Sequence, residues 1–285
     1  MSSSLLLPPR AFPRSSAGES ALILPPPNRI EASVANPLPA ALTLNSVVGS
    51  RIFNIDAGVG LAADLSTWAA GAGGQTFTLT GTGPPTLVTI DQAGFLKLKA
   101  IVFAGGTAAY YLGDDATNPR WGSNNLAMEY VVSMNTSHGG GRGHAGNLWG
   151  SANYWQTVMN PNGRQDHYQV DSVPTTFNSA SAVPAGPTVG DYFHVFVYWN
   201  YATASVDGCR VYIGGVQSGA GKDCSTITLP IENGSAMHIG RRGAGTTSTV
   251  ACGVVSHSMW EFAGDIGGDT EIASVAAARA ALLAA

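Results

Sequence analysis

From about residue 46 onward, apolar and polar residues alternate with a period of two rather than 3.6. Between Leu126 and Met134, every second residue is a large apolar one, and the residues between them are Ala, Glu, Val and Ser. Successive side chains of a β-strand point to opposite faces of its sheet, so this segment predicts a half-buried strand. Similar alternation, or runs of aromatic and β-branched residues, occur at Thr76–Thr80, Leu96–Ala100, Tyr192–Tyr201, Cys209–Ile213, Met237–Ile239 and Val250–Phe262. Strands at this spacing with Gly-rich turns predict an all-β fold, an antiparallel β-sandwich.

A helical pattern is found in the last segment of the sequence. Asp269 or Thr270 can cap it, Glu271 suits its first turn, and the alanine-rich run Ile272–Leu283 forms its body. Arg279 lies late in this run, where a cation is favourable to the helix dipole. We therefore expect a short C-terminal helix over about residues 269–284.

Residues 1–45 differ from the rest because they contain eight prolines. Proline fixes φ and lacks an amide donor, so this segment is expected to be an extended arm that precedes a domain of residues 46–285. An apolar triplet followed by two prolines occurs twice in it. We expect the apolar residues to bind another surface or a neighbouring subunit, although a flexible linker is the alternative. The candidate partner-binding residues are Leu5, Leu6, Leu7, Phe12, Leu22, Ile23 and Leu24.

Composition excludes several classes of function. Charged residues make up only 11% of the chain, the net charge is −4, and no basic cluster is present, which argues against a nucleic-acid partner. No apolar stretch approaches the roughly 18 residues of a membrane span, and no signal peptide is expected. The three cysteines form no CxxC pair and predict no zinc site. Cys209 and Cys224 could bridge a hairpin, and three free thiols are the alternative.

Several short segments occur in a characteristic order. They are Asp64–Trp68, Gly71–Gly74, Phe77–Leu79, Pro84–Val88, Phe95–Leu98, then Tyr192–Trp199 followed by Asp207–Gly215, and finally Met237–Gly240 and Phe262–Ile266. In this order they resemble the concanavalin A-like (laminin-G-like) jelly rolls familiar from phage virion proteins. The resemblance covers about residues 50–285 and implies a jelly-roll sandwich. Lectins, hydrolases and structural proteins share that fold, so it decides no function.

Catalytic chemistry of the kind carried by glycosidases of this fold is not evident in the sequence. Those enzymes place two carboxylates about 5 Å apart, typically in a strand reading E-x-D-x-x-E or E-x-D-x-E. Glu129 stands alone on its predicted strand. We therefore expect the protein not to be an enzyme.

Metal sites and cofactors are not expected either. His138 and His144 flank a glycine-rich loop without a nearby carboxylate or thiolate, which makes them weak candidate ligands. Asp114, Asp115 and Asn118 could supply oxygens to calcium, but turn chemistry accounts for them more simply.

Residues 138–155 combine aromatic and hydrogen-bonding side chains, a mixture that suits sugar recognition. The same aromatic residues could instead fill the sandwich or a subunit interface. The candidate carbohydrate-binding residues are His138, Arg142, His144, Asn147, Trp149, Tyr154 and Trp155.

These observations together predict a virion structural protein of a phage, of the capsid-decoration or fibre type. It would be located at the virion surface and attached to other capsid or tail proteins through residues 1–45. It is expected to form a homo-oligomer, to present its sandwich to a host-surface glycan, and to bind neither nucleic acid nor membrane. A secreted or cell-surface glycan-binding module is the first alternative, and a glycoside hydrolase with a degenerate site is the second.

Overall fold

The computed structural model describes residues 50–95, 98–104, 109–114, 125–134, 142–146, 154–159, 165–170, 174–178, 190–200, 208–221, 223, 236–241, 251–262 and 277. All of the regular elements defined within these ranges are β-strands. They are β1 (Ser50–Asp56), β2 (Thr67–Ala69), β3 (Thr76–Thr80), β4 (Thr86–Thr89), β5 (Lys99–Ala104), β6 (Tyr110–Gly113), β7 (Asn125–Met134), β8 (Arg142–Gly146), β9 (Tyr154–Met159), β10 (Gln165–Val170), β11 (Pro174–Asn178), β12 (Tyr192–Trp199), β13 (Cys209–Ile213), β14 (Val216–Gln217), β15 (His238–Ile239) and β16 (Ala251–Phe262).

The described strands form two antiparallel sheets of eight strands each. Sheet A has the order β14-β13-β12-β7-β16-β5-β4, and β1 also pairs with β16. Sheet B has the order β11-β10-β9-β8-β15-β6-β3-β2. The prediction of an all-β fold built from antiparallel sheets is confirmed.

The two sheets share one hydrophobic cluster and therefore face each other, as the layers of a sandwich do. Phe53 of β1 lies edge-on to Phe77 of β3, with ring centroids 5.8 Å apart. Phe103 of β5 contacts Tyr111 of β6 in the same manner at 6.2 Å. Each fully buried aromatic side chain contributes about 1.5–3 kcal/mol relative to exposure, so these contacts are a major stabilising interaction between the sheets.

The expectation that β7 is half-buried is wrong. Leu126, Met128, Tyr130 and Val132 face sheet B, as the alternation predicts. The opposite face of sheet A, which we call the outer face of sheet A, is buried as well at β7. Its residues there are Ala127, Glu129, Val131 and Ser133.

One segment that covers part of this outer face lies between β4 and β5. Ile90 and Leu98 form a second hydrophobic cluster with Val131. Gln92 fixes the segment, because its amide nitrogen donates to the carbonyl of Tyr192 at 2.7 Å and its amide oxygen accepts from the Tyr192 N–H at 2.6 Å. A period-two pattern shows which residues share a face but not whether another segment packs on it, and burial of both faces explains the error.

The two terminal segments lie mostly outside the described residues. This holds for the arm of residues 1–45 with its seven candidate partner-binding residues. Of the predicted C-terminal helix, the structure describes Ala277, whose backbone is helical. Cys209 and Cys252 are buried and form no disulfide, and Cys224 lies outside the described residues.

Candidate functional site

A cluster of aromatic and cationic side chains lies on the outer face of sheet B, the face turned away from sheet A. In β6, Tyr111 belongs to the core, so its neighbour Tyr110 projects to the other side and is partly exposed. In β15, Ile239 belongs to the core, and His238 projects outward by the same rule. The antiparallel pairing of β15 with β6 sets His238 opposite Leu112, and therefore diagonal to Tyr110 on the same face.

The geometry of this cluster is compact. The rings of Tyr110 and His238 have centroids 5.2 Å apart with an interplanar angle of 34°. The guanidinium carbon of Arg241 lies 4.6 Å from the centroid of the Tyr110 ring, which is a cation–π contact. Burial and, next, the charge of Arg241 lower the pKa of His238 to about 4. The imidazole is therefore neutral at physiological pH.

Hydroxyl groups continue this surface on the neighbouring strand. Thr80 of β3 is paired with Tyr110, and Thr78 is paired with Leu112. Thr78 is exposed and Thr80 partly exposed, and the Thr80 hydroxyl donates to the Thr78 carbonyl at 3.3 Å. We refer to Tyr110, His238, Arg241, Thr78 and Thr80 as the outer-face cluster. It joins an aromatic face, a guanidinium and hydroxyl groups. These groups come from the adjacent strands β3, β6 and β15 and from Arg241, the second residue after β15.

Gly240 directs the chain from β15 to Arg241. Its φ of 82° is in the left-handed region that favours glycine. A Cβ atom at this position would lie 2.5 Å from ring carbons of Phe103, which is too close for any side chain. The Gly240 N–H donates to the carbonyl of His144 at 2.8 Å and so ties this turn to β8. The position of Arg241 is thus set by the packing of the core beneath it.

A second polar group lies at the centre of the outer face of sheet A. His194 Nε2 is 2.9 Å from Oε1 of Glu129, and the two side chains are 2% and 3% exposed. Glu129 lies on β7, between Phe196 of β12 and Ser258 of β16. The sequence indicated a solitary carboxylate, because the partner comes from a strand far along the chain. Such a pair can hold or transfer a proton, and its burial makes it a strong structural contact.

Another histidine cluster lies between the sheets. His144 is 1% exposed, and its ring lies 4.8 Å from the ring of Tyr130. Tyr130 in turn stacks on His257 with centroids 5.5 Å apart and an interplanar angle of 11°. The Thr157 hydroxyl lies 3.2 Å from Nδ1 of His144. In this structure His144, a candidate carbohydrate-binding residue, packs in the interior.

The other candidate carbohydrate-binding residues are distributed as follows. Arg142 lies in β8, and Tyr154 and Trp155 lie in β9, so their backbones belong to the same sheet as the outer-face cluster. Only the backbone is described for these three residues. His138, Asn147 and Trp149 lie outside the described residues.

Sequence reasoning missed the residues of the outer-face cluster. The pair Tyr110-Tyr111 did carry a signal, because consecutive strand residues face opposite sides and one of two tyrosines must then project outward. No local signal connects this pair with His238 or Arg241, which the strand order of sheet B brings to it.

Within the part of the chain that the structure describes, no group of three or more His, Cys, Asp or Glu side chains could hold a metal ion. Asp114, one of the calcium candidates, is exposed and accepts a hydrogen bond from the Thr76 N–H at 3.0 Å. Asp115 and Asn118 lie outside the described residues. Across the described ranges no helix is long and apolar enough to cross a membrane.

Comparison with known proteins finds similarity in structure only. No protein-family model matches the sequence, and no curated protein is significantly similar to it. The receptor-binding domain of botulinum neurotoxin D has a TM-score of 0.53 at 9% identity, with 80% of this chain and 52% of that chain covered.

Two enzymes contain a similar structure. Trypanosoma rangeli sialidase, in complex with 2-keto-3-deoxy-D-glycero-D-galacto-2,3-difluoro-nononic acid, gives a TM-score of 0.51 at 13% identity, over 81% of this chain. This chain spans 33% of the sialidase's length. Domain 4 of AbnA, a GH43 extracellular arabinanase from Geobacillus stearothermophilus in complex with arabinotriose, gives 0.50 at 12% identity, over 80% of this chain and 98% of that one.

These comparisons correct one expectation from the sequence. We expected the protein not to be an enzyme, and that expectation is contradicted because its structural neighbours include a sialidase and a GH43 arabinanase. The absence of a carboxylate cluster in the sequence was too weak a criterion, since a similar fold also occurs within enzymes. Identities of 9–13% establish a shared fold and no shared activity.

Proposed function

We propose that this chain is a carbohydrate-recognition domain that binds a glycan on the outer face of sheet B. The observation that carries the proposal is the contact of Arg241 with the ring of Tyr110, beside the His238 ring. The β-sheet fold shared with carbohydrate-active proteins supports it. The finer assignment, a concanavalin A-like jelly roll, is part of the same proposal.

The chemistry of the outer-face cluster matches what a sugar offers. A pyranose ring has apolar C–H faces that pack on an aromatic ring, and Tyr110 is partly exposed for such contact. Sugar hydroxyls need hydrogen-bonding partners, and Thr78 and Thr80 carry hydroxyls on the adjacent strand. Because these groups project from paired strands, their spacing is held by the backbone ladder rather than by a loop.

Substitution at Tyr110 tests the proposal. The full chain is applied to an array of immobilised oligosaccharides, and the dissociation constant of the best ligand is then measured by calorimetry. Tyr110→Ala removes the aromatic face, and we expect binding to weaken about tenfold, which corresponds to about 1.4 kcal/mol. Tyr110→Phe keeps the face and should bind nearly as the wild type does.

Leu87→Ala is the control, because Leu87 is an exposed apolar side chain that lies on β4 of sheet A, away from the outer-face cluster. Unchanged affinity in Tyr110→Ala, or an equal loss in Leu87→Ala, would contradict the proposed binding surface. Release of sugar from each ligand should be measured alongside, because the fold is also carried by hydrolases.

We further propose that residues 1–45 attach this domain to a phage virion, at the surface of a capsid or tail and as a homo-oligomer. The support is in the sequence, where each of two apolar triplets is followed directly by prolines. Deleting residues 1–45 should leave a folded β-domain that binds glycan but is absent from purified particles. Particles that incorporate the truncated chain at the wild-type level would contradict this role for the arm.

A further inference from the structure

We infer that the glycan recognised by the outer-face cluster is acidic, and that its carboxylate or sulfate group is held by Arg241 while a sugar ring lies against Tyr110. This inference rests on the proposed function and specifies the class of its ligand.

The guanidinium of Arg241, which contacts Tyr110, suits anions that accept two parallel hydrogen bonds. The guanidinium carbon lies 4.6 Å from the centroid of the Tyr110 ring, so the cation contacts the face of that ring. The five N–H donors of a guanidinium lie in its plane and match the two oxygens of a carboxylate or sulfate. Because its donors form a pre-organised planar fork, a guanidinium loses less side-chain entropy per hydrogen bond than a lysine ammonium does.

The charge of the surrounding groups points the same way. His238 has a pKa lowered to about 4 and is neutral, and the threonine hydroxyls are uncharged. Among the described residues of the cluster, Arg241 is therefore the cation. Asp114, the carboxylate that follows β6, lies beyond Gly113 at the other end of that strand and binds the Thr76 N–H. By formal charge, the five residues of the cluster thus carry one positive charge, in a chain whose net charge is −4.

The test compares neutral, carboxylated and sulfated oligosaccharides immobilised on one array, with the full chain as the analyte. We expect the glycans bound by the wild type to carry a carboxylate or sulfate. Comparing the carboxylated set with the sulfated set shows which of the two groups is recognised. For the best acidic ligand, Arg241→Gln should weaken binding about tenfold or more, because a charge-assisted contact is lost. Arg241→Lys should retain only part of the affinity that Arg241→Gln loses, because an ammonium keeps the charge without the planar pair of donors.

Lys99→Gln is the matched control for charge. It removes one positive charge from β5 of sheet A, where Lys99 contacts the Thr89 hydroxyl, and it should leave affinity unchanged. An equal loss in Lys99→Gln and Arg241→Gln would indicate general electrostatics and overturn the assignment of Arg241. Circular dichroism of each variant verifies that the β-domain is folded.

The remaining outcomes separate this inference from the proposed function. If the bound glycans are neutral and depend on Tyr110 but not on Arg241, the inference fails and the proposed function stands. If no glycan of any set binds, both fail.

Discussion

Replacing the buried pair of Glu129 and His194 by apolar residues tests whether this contact stabilises sheet A. Each side chain is at most 3% exposed, and His194 Nε2 lies 2.9 Å from Oε1 of Glu129. Glu129→Leu removes the partner of that nitrogen, and His194→Leu removes the partner of that oxygen. In either variant a polar atom remains buried without this contact.

The magnitude follows from the state of the pair. If the imidazole and the carboxyl group are both neutral, the loss of one partner of their hydrogen bond costs about 1–3 kcal/mol. If both groups are charged, the cost rises to about 3–5 kcal/mol, because an uncompensated charge stays buried. Glu129→Gln should cost less than Glu129→Leu, since an amide of nearly the same volume can still bond to the imidazole. The double variant should cost less than the sum of the single ones, since neither member of the pair is then left without the other.

Urea unfolding monitored by tryptophan fluorescence gives the free energy of unfolding for the wild type, both single variants and the double variant. We expect a coupling energy of at least about 1 kcal/mol between Glu129 and His194. Matched m-values across the four proteins ensure that the same transition is compared. A coupling energy below about 0.5 kcal/mol, the level seen for independent sites, would refute the reasoning.

Three further variants test other contacts. Between pH 6.5 and about 4, His238 binds a proton in the unfolded chain but not in the folded one. The free energy of unfolding of the wild type should therefore fall by up to about 3 kcal/mol as the pH drops through this range. In His238→Gln, the melting temperature should fall less over the same range. Tyr111→Phe removes the hydrogen bond to the Leu65 carbonyl and should cost about 1 kcal/mol in urea unfolding. Because burial raises the pKa of Tyr111 to about 12, its contribution is complete below pH 10 and lost from there to about 12, and Tyr111→Phe should show less of this alkaline loss. Gly240→Ala places a methyl group against the Phe103 ring at a positive φ and should lower the melting temperature, at a cost of about 1–3 kcal/mol, whereas an unchanged melting temperature would show that the turn can relax.

The class of fold could be predicted from sequence because it depends on local alternation. Leu126, Met128 and Tyr130 face sheet B, since a strand has no other way to place every second residue on one face. Burial of the opposite face at β7 could not be predicted from that pattern. It depends on residues such as Ile90 and Leu98, which lie far from β7 in the sequence, packing on the sheet.

The candidate site was less predictable, because its residues meet through strand order. Tyr110 and Arg241 lie on segments that are distant in sequence and become neighbours since β15 pairs with β6. The Glu129–His194 pair arises in the same way, from the pairing of β7 with β12. Because local sequence does not show strand order, Glu129 was interpreted as a solitary carboxylate. For the same reason, the sugar-binding candidates were all placed on one continuous segment, residues 138–155.

The pairing of β1 with β16 has a consequence for how the chain folds during synthesis. Ser50 lies beside Glu261, so the first described strand finds its place in sheet A only after the last one has left the ribosome. Closing so long a loop is entropically costly and slow, and contacts of this separation are typical of slow-folding β-proteins. Until then β1 keeps unpaired amide and carbonyl groups and an apolar face that includes Phe53 and Ile55. While β1 waits for β16 to be synthesised, chaperone binding or incorrect strand pairing between chains can therefore compete with folding.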